Sequence, residues 1–372
     1  MDYIVRRSLL ALSLTAIAVG HALASTIVVG QVAPFSGMEA TQGRAYAAGM
    51  ELFFNHVNRT GAGNGHQFVL VRKDDGGRPG DTVAFTRELI AESRPLVLAG
   101  YFGNRNIDDV VSSGVLAREK IALVGYRSSE VRPETPYVYN VRAGLRDEIH
   151  KFAQHLATIG ITRFGLLYED GPAADTLLHA AEDAAKEANA HVVVHASYPA
   201  GTAQVMPAVQ QFMKTAPQAI LLVATGAAAA AFIEQYRGAG GTAQVFASSS
   251  ADVEQMAKRL ADEQLQGVAI AQVTPSPYTI SSKVAKEFND IVAKAGPLDV
   301  PVSYAMMEGF IAAKVIVEAV RRQGRSPTRE GTLATLDALD NFDVGGYVVG
   351  YRQGLHSGSR YVELTIVSGA GR

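Results

Sequence analysis

Short apolar, β-branched runs alternate with longer amphipathic stretches along most of the chain, the pattern that a parallel sheet with crossover helices requires. Runs over 26–32, 68–71, 96–99 and 121–124 predict strands buried on both faces, and stretches over 43–58, 81–92 and 106–119 predict the helices between them. A second series follows Gly144. It predicts helices over 145–159, 173–188, 204–214 and 227–237, interleaved with strands over 163–168, 191–196, 219–224 and 244–247. Past about residue 272 the rhythm changes, with a Pro/Ser/Tyr segment over 274–278, long helices over 283–294 and 304–322, and late strands over 346–351 and 361–367. The chain is therefore expected to return to its first half and then to its second. The expected fold is α/β: two doubly wound Rossmann-like lobes joined by a three-crossing hinge, the first from 25–143 plus 273–345 and the second from 144–272 plus 346–372.

The opening residues change this picture by fixing an expected compartment. Arg6 and Arg7 precede an apolar run over 8–20, and Ala22-Leu23-Ala24 forms a small-x-small site, the three parts of a cleaved export signal. Residues 1–24 are read as that signal, cut after Ala24, with a periplasmic mature chain. The run is shorter than the roughly 20 apolar residues a span requires, which makes a membrane anchor the weaker reading. No cysteine occurs, so disulfides, thiolate chemistry and a lipid-bearing cysteine are excluded. The formal net charge of -2 and the scattered charged residues give no nucleic-acid footprint, and a monomer is expected.

Catalytic patterns fare poorly. No lysine follows a glycine, which removes the phosphate-binding P-loop, and none of the nine histidines precedes a glutamate, which removes the HExxH zinc site. His191 and His195 share a strand face but lack a third ligand, so neither a metal nor a cofactor is expected. Gly238-Ala-Gly240 follows a predicted helix, not a strand, and reads as a C-cap. There is no GxSxG elbow, although a triad assembled in space would be invisible in sequence.

One set of spacings is more specific. Ala33-Pro34-Phe35-Ser36-Gly37, then Gly43 and Gly49 in a helix, then Gly61, Gly63 and Gly65, and finally Lys73-Asp74-Asp75-Gly-Gly-Arg-Pro79, resembles the leucine/isoleucine/valine-binding type of periplasmic solute-binding protein that serves ABC importers. The likeness continues through Leu98-Ala-Gly100, Ile121-Ala-Leu-Val124, Tyr198-Pro-Ala-Gly201 and 219–223, covering essentially everything after residue 24. Physically, the glycines suit a tight helix-to-strand turn, Asp74 and Asp75 suit loop-ordering roles, and Pro79 suits a helix start.

The resemblance implies the type I periplasmic binding protein fold, a small-molecule ligand between the lobes, and an inner-membrane ABC permease as partner. It places the ligand-holding serine near Asn104, the next loop's contacts near Tyr126 and Ser128, and an early tyrosine near Gln42. The glutamate that meets an ammonium falls near Ser249, and the second-lobe tyrosine near Ala173, flanked by Asp170 and Asp175. Without that glutamate a bound ammonium would lie unpaired, costing several kcal/mol. Tyr101, Phe102, Tyr126 and Arg127 could instead form a pocket for an aromatic or aliphatic carboxylate with Arg127 in bidentate contact, or Tyr126 packs and Arg127 faces solvent. Tyr278 is a further ligand candidate. The function implied is non-enzymatic capture of a branched-chain or hydrophobic amino acid, or a related carboxylate, for an importer. A sensory role for the same body and a secreted hydrolase are the rival readings.

Overall fold

The computed structural model describes residues 25–130, 135–352 and 356–367, so the expected export signal lies outside the described residues. The first half builds β1 (Thr26–Ala33), α1 (Ala40–Thr60), β2 (Gln67–Asp74), α2 (Pro79–Ser93), β3 (Val97–Phe102), α3 (Asn104–Ser112), α4 (Val115–Glu119), β4 (Leu123–Arg127) and β5 (Val138–Tyr139). Then follow α5 (Leu145–Thr158), β6 (Arg163–Glu169), α6 (Ala174–Glu187), β7 (His191–Tyr198), α7 (Met206–Thr215), β8 (Ala219–Val223), α8 (Gly226–Gly238), β9 (Gln244–Ala247), α9 (Val253–Arg259), α10 (Asp262–Leu265) and β10 (Ala269–Gln272). The last part contains α11 (Lys283–Ala295), α12 (Tyr304–Gln323), α13 (Arg329–Asp337), β11 (Phe342–Asp343), β12 (Val348–Val349) and β13 (Glu363–Ile366).

Among the described residues these elements form two principal sheets, ordered β2-β1-β3-β4-β5 and β13-β10-β9-β8-β6-β7. Within each, the core strands run parallel and the order reverses beside the first strand of the series, the doubly wound arrangement that leaves a crevice at the strands' carboxyl ends. β13 closes the second sheet antiparallel to β10.

After the chain returns to the first lobe through α11, helix α12 packs lengthwise on α1. The two backbones approach so closely that a Cβ at Gly49 would sit 1.9 Å from the Met306 carbonyl oxygen, and one at Gly309 would sit 2.0 Å from that of Tyr46. Bulk is excluded there by main chain, which has nowhere to move. Around this crossing Tyr46, Met50, Phe53, Phe310 and Ile311 bury the first lobe's main core.

Two expectations need correction. The helix expected over 106–119 is two helices, because Gly114 adopts φ +68 between α3 and α4. The segment 346–351 belongs with the first lobe: Tyr347, Val349 and Tyr351 are buried in its core, so the expected boundary after 345 falls too early. The third crossing lies between the Asn140–Ser357 bridge and β13. The Tyr347 hydroxyl stands 2.9 Å from the carbonyls of both Val141 and Val273, tying the first two crossings together.

Candidate functional site

The carboxyl ends of β1, β2, β3 and β4 face those of β6, β7, β8 and β9 across a cavity of about 370 Å³. Its first-lobe wall is Pro34, Met38, Glu39, Gln42, Gly76 to Pro79, Phe102 to Asn106 and Arg127 to Ser129; its second-lobe wall is Glu169, Ala200, Gly201, Thr225 and Ser250. Every one of these follows or ends a strand or begins the succeeding helix, which is where loop amides and side chains of open α/β sheets converge.

Asn104 is the hub of the first-lobe wall. Its Oδ1 accepts from Ser128 Oγ (2.9 Å) and the Ser129 amide (2.9 Å), and its Nδ2 donates across the cleft to Glu169 Oε2 (2.7 Å). Gly103 makes this possible: at φ +94 the chain turns into α3, and any Cβ there would lie 2.3 Å from Asn106 Oδ1. Glu169, the last residue of β6, also accepts from the Gly201 amide (2.8 Å). Burial pushes its carboxyl above the ordinary range, partly offset by that amide.

Gln42 donates to Glu39 Oε2 and to Gln255 Oε1 (2.8 Å each), while Gln255 Nε2 reaches the Met38 carbonyl (2.9 Å) and Ser250 Oγ that of Ser128 (3.3 Å). The lobes are thus closed on each other along one side of the cavity. Glu39 Oε1 is shut off from solvent and has no hydrogen-bond partner among the described residues. Its carboxyl is pushed up to about 7 by burial first, then by Asp252 and Glu169, against the opposing pull of Arg127.

Beneath the cavity runs a buried charge chain. Arg127 lies 3.3 Å from Asp252, 3.2 Å from Glu308 and 3.2 Å from the Ser249 carbonyl, and donates to Gln42 Oε1. Glu308 then meets Arg142 (3.2 Å), which meets Glu148 (3.4 Å), and Glu148 accepts from the Ser249 amide (2.7 Å) and hydroxyl (2.8 Å). Arg127, Arg142, Glu148, Asp252 and Glu308 are each at most 5% exposed. Burial opposes the Arg127 charge, but Glu308 and Asp252 outweigh it and hold the guanidinium protonated. The chain joins β4 and α12 of the first lobe, the crossing at Arg142, and α5 and the loop after β9 of the second.

Of the residues expected from sequence, Gln42, Phe102, Asn104, Arg127 and Ser128 line the cavity. Tyr101 does not: alternation along β3 turns it to the opposite face, where its hydroxyl meets Thr86 Oγ1 at 3.0 Å. Tyr126 lies one residue out of phase with Arg127 on β4 and packs with the same cluster as Tyr101. Ser249 is spent on Glu148, and Tyr278 sits outside the cavity wall, where its hydroxyl donates to Glu254 (2.5 Å). Arg127 does not face solvent: both its terminal nitrogens are held by protein groups, and only its buried Nε lacks a partner among the described residues. Two carboxylates that the sequence reading passed over, Glu39 and Glu169, line the cavity, whereas Asp170 and Asp175 do not.

A larger hollow of about 1040 Å³ lies at the amino ends of the first lobe's strands, beside Arg87, Arg94, Arg118 and Arg329. One lobe alone walls it, so it cannot couple binding to closure. Among the described residues no group of three or more His, Asp or Glu is placed to hold a metal, and no helix is long and apolar enough to cross a membrane.

Two like-built lobes closed over a cavity between them give a hinged, clefted body. The periplasmic binding protein family matches residues 26–371, and the chain belongs to it. It is 24% identical over 339 residues to Leu/Ile/Val-binding protein homolog 7 of Brucella melitensis, covering 85% of this chain and 82% of that protein. The crystal structure of a substrate-binding periplasmic protein from Ralstonia solanacearum superposes with TM-score 0.87 at 37% identity, covering 93% of this chain and 98% of that one. A fatty acid ABC transporter substrate-binding protein from Thermomonospora curvata shares the fold, with TM-score 0.79 at 20% identity over 91% and 88% of the two chains.

Proposed function

We propose that the chain is exported to the periplasm, captures a small organic solute in the cleft and presents it to an ABC importer's permease. The observation that carries this reading is that one enclosed cavity takes polar side chains from both lobes, Asn104 and Glu39 from the first and Glu169 from the second. A solute touching both walls stabilises the closed form by the difference in its affinity for closed and open states, and that difference is all it can contribute. The printed names of the relatives, Leu/Ile/Val-binding in one case and fatty acid in another, support a small organic ligand without choosing one. The absence of P-loop, HExxH and GxSxG patterns supports binding without turnover.

Thermal-shift screening of residues 25–372 against amino acids, amines and short or aromatic acids tests this. A ligand at 100 times its Kd adds about 2.7 kcal/mol. Asn104→Ala should abolish the shift while leaving the unliganded transition in place. Stabilisation by no solute class, or a full shift retained in that variant, would contradict the reading.

A further inference from the structure

We propose that the hollow at the amino ends of the first lobe's strands is a second binding site, separate from the cleft, for a soluble organic molecule bearing two or more phosphoryl groups.

Its cations come from three parts of the lobe. Helix α2 presents Arg87, Ile90, Ala91 and Arg94, the i, i+3, i+4, i+7 spacing of one helical face. Helix α4 adds Arg118, and the segment between α12 and α13 adds Arg325, with Arg329 at the start of α13. Only Arg329 is neutralised. It lies 2.8 Å from Glu119, the single carboxylate on the wall, and also donates to the carbonyls of Pro95 and Glu119. Arg118 reaches the Ser113 carbonyl at 2.8 Å, which leaves its charge uncompensated. Arg87, Arg94 and Arg325 are exposed and have no hydrogen bond or ion pair among the described residues. The nearby carboxylates are engaged elsewhere: Glu88 and Glu92, on another face of α2, both hold Lys73, and Glu330 holds Lys120.

Helix ends do not account for this gathering. The carboxyl ends of α2, α4 and α12 each carry about half a negative charge, so together with Glu119 they balance about half of the five guanidiniums. Arg87 stands well inside α2, beyond the last turn where a dipole acts. Nor is the chain basic as a whole, since its formal net charge is -2. Unpaired like charges held together repel, and an anion among them relieves that repulsion.

The shape and chemistry of the hollow select the anion. A guanidinium fork meets phosphoryl or carboxylate oxygens in bidentate contact. A terminal phosphoryl group carries about 1.5–2 negative charges at pH 7, so two or three such groups match the surplus, where single-charged carboxylates would have to be more numerous. Between the cations lies an apolar floor of Ile27, Ile90, Leu96 and Val115, and the volume of about 1040 Å³ admits an organic body over it. Because the site is concave, a small molecule can touch floor and cations together, whereas a flat bilayer surface meets the rim alone.

Calorimetry on residues 25–372 at low ionic strength, where exposed charges are least screened, tests the site with phosphate, tripolyphosphate and ATP as probes. ATP should bind once per chain, at least about tenfold more tightly than phosphate and no more weakly than tripolyphosphate, which has no body to cover the floor. Replacing Arg87 and Arg94 together by glutamine should weaken ATP by about tenfold or more with the melting transition kept, since neither arginine has a partner to lose. Arg146→Gln removes an equally exposed and unpaired charge from the second lobe and should leave ATP binding unchanged, as should Asn104→Ala, which separates this site from solute capture. The proposal is overturned by ATP binding no tighter than phosphate, by tripolyphosphate binding more tightly than ATP, or by full affinity in the double variant. Equal loss in Arg146→Gln, or binding to phosphatidylglycerol vesicles with none to ATP, overturns it as well.

Discussion

Replacing Arg127 by methionine removes a guanidinium that neutralises Asp252 at 3.3 Å and Glu308 at 3.2 Å, both almost wholly buried. Taking one partner from a buried ion pair costs about 3–5 kcal/mol, because the remaining charge has neither water nor a counterion. Two features moderate the loss. Arg142 still lies 3.2 Å from Glu308, and Asp252 belongs to the other lobe, so opening of the cleft lets water reach it. We therefore expect the low end, about 3 kcal/mol, which at about 2–4 °C per kcal/mol lowers the melting temperature by about 6–12 °C. Asp252→Asn keeps the Oδ1 that accepts from the Gln255 amide while deleting the orphaned charge, so the double variant should regain about 1–2 kcal/mol over Arg127→Met. Small-angle scattering should also show the single variant more open. A melting temperature within about 1 °C of the parent, or a double variant no better than the sum of the singles, would refute the charge-chain account.

Further expectations follow from other parts of the molecule. Gly49→Ala or Gly309→Ala drives a methyl into helix backbone and should cost about 1–3 kcal/mol or more in urea melts, whereas Gly238→Ala, whose Cβ would meet nothing within 4 Å, should be nearly neutral. Because Glu39 is raised from 4.5 to about 7, the folded chain holds its proton where the unfolded chain has lost it. Its contribution is complete below pH 4.5 and falls as pH rises towards 7, by at most about 1.4 kcal/mol per pH unit; Glu39→Gln should remove that slope from unfolding measured across this window, and an unchanged slope would contradict the assignment. Tyr278→Phe removes the hydroxyl that donates to Glu254 Oε1 and should cost about 1 kcal/mol in the same assay, with ligand affinity retained since Tyr278 lies outside the cavity wall.

The two lobes were legible because strands buried on both faces write themselves as unbroken apolar runs, as in 219–223, and because Gly43, Asp74 and Pro79 each answer a local backbone demand. Asp74, for instance, accepts from the amides of Phe35, Ser36 and Gly76. Gly49 was visible as part of a spacing, but its reason, contact with Met306 more than 250 positions away, was not. The site was legible to the level of loops. That Asn104 and Ser128 follow neighbouring strands places them together, but facing is set by strand phase, which a continuous apolar run does not reveal, so Tyr101 and Phe102 could not be told apart. Partners across the cleft were invisible for the same reason: Asn104 and Glu169, or Gln42 and Gln255, meet only because two separately folded sheets close on each other. Glu169 could have been found by asking which polar residue ends each parallel strand.

The central claim is that a solute is held by both lobes at once. The most direct measurement is a crystal structure of residues 25–372 with the tightest ligand from the screen. The account predicts that ligand enclosed between Phe102, Asn104 and Glu39 on one side and Glu169 on the other. A ligand seated against one lobe alone, such as in the arginine-lined hollow beside Arg94 and Arg118, would contradict it.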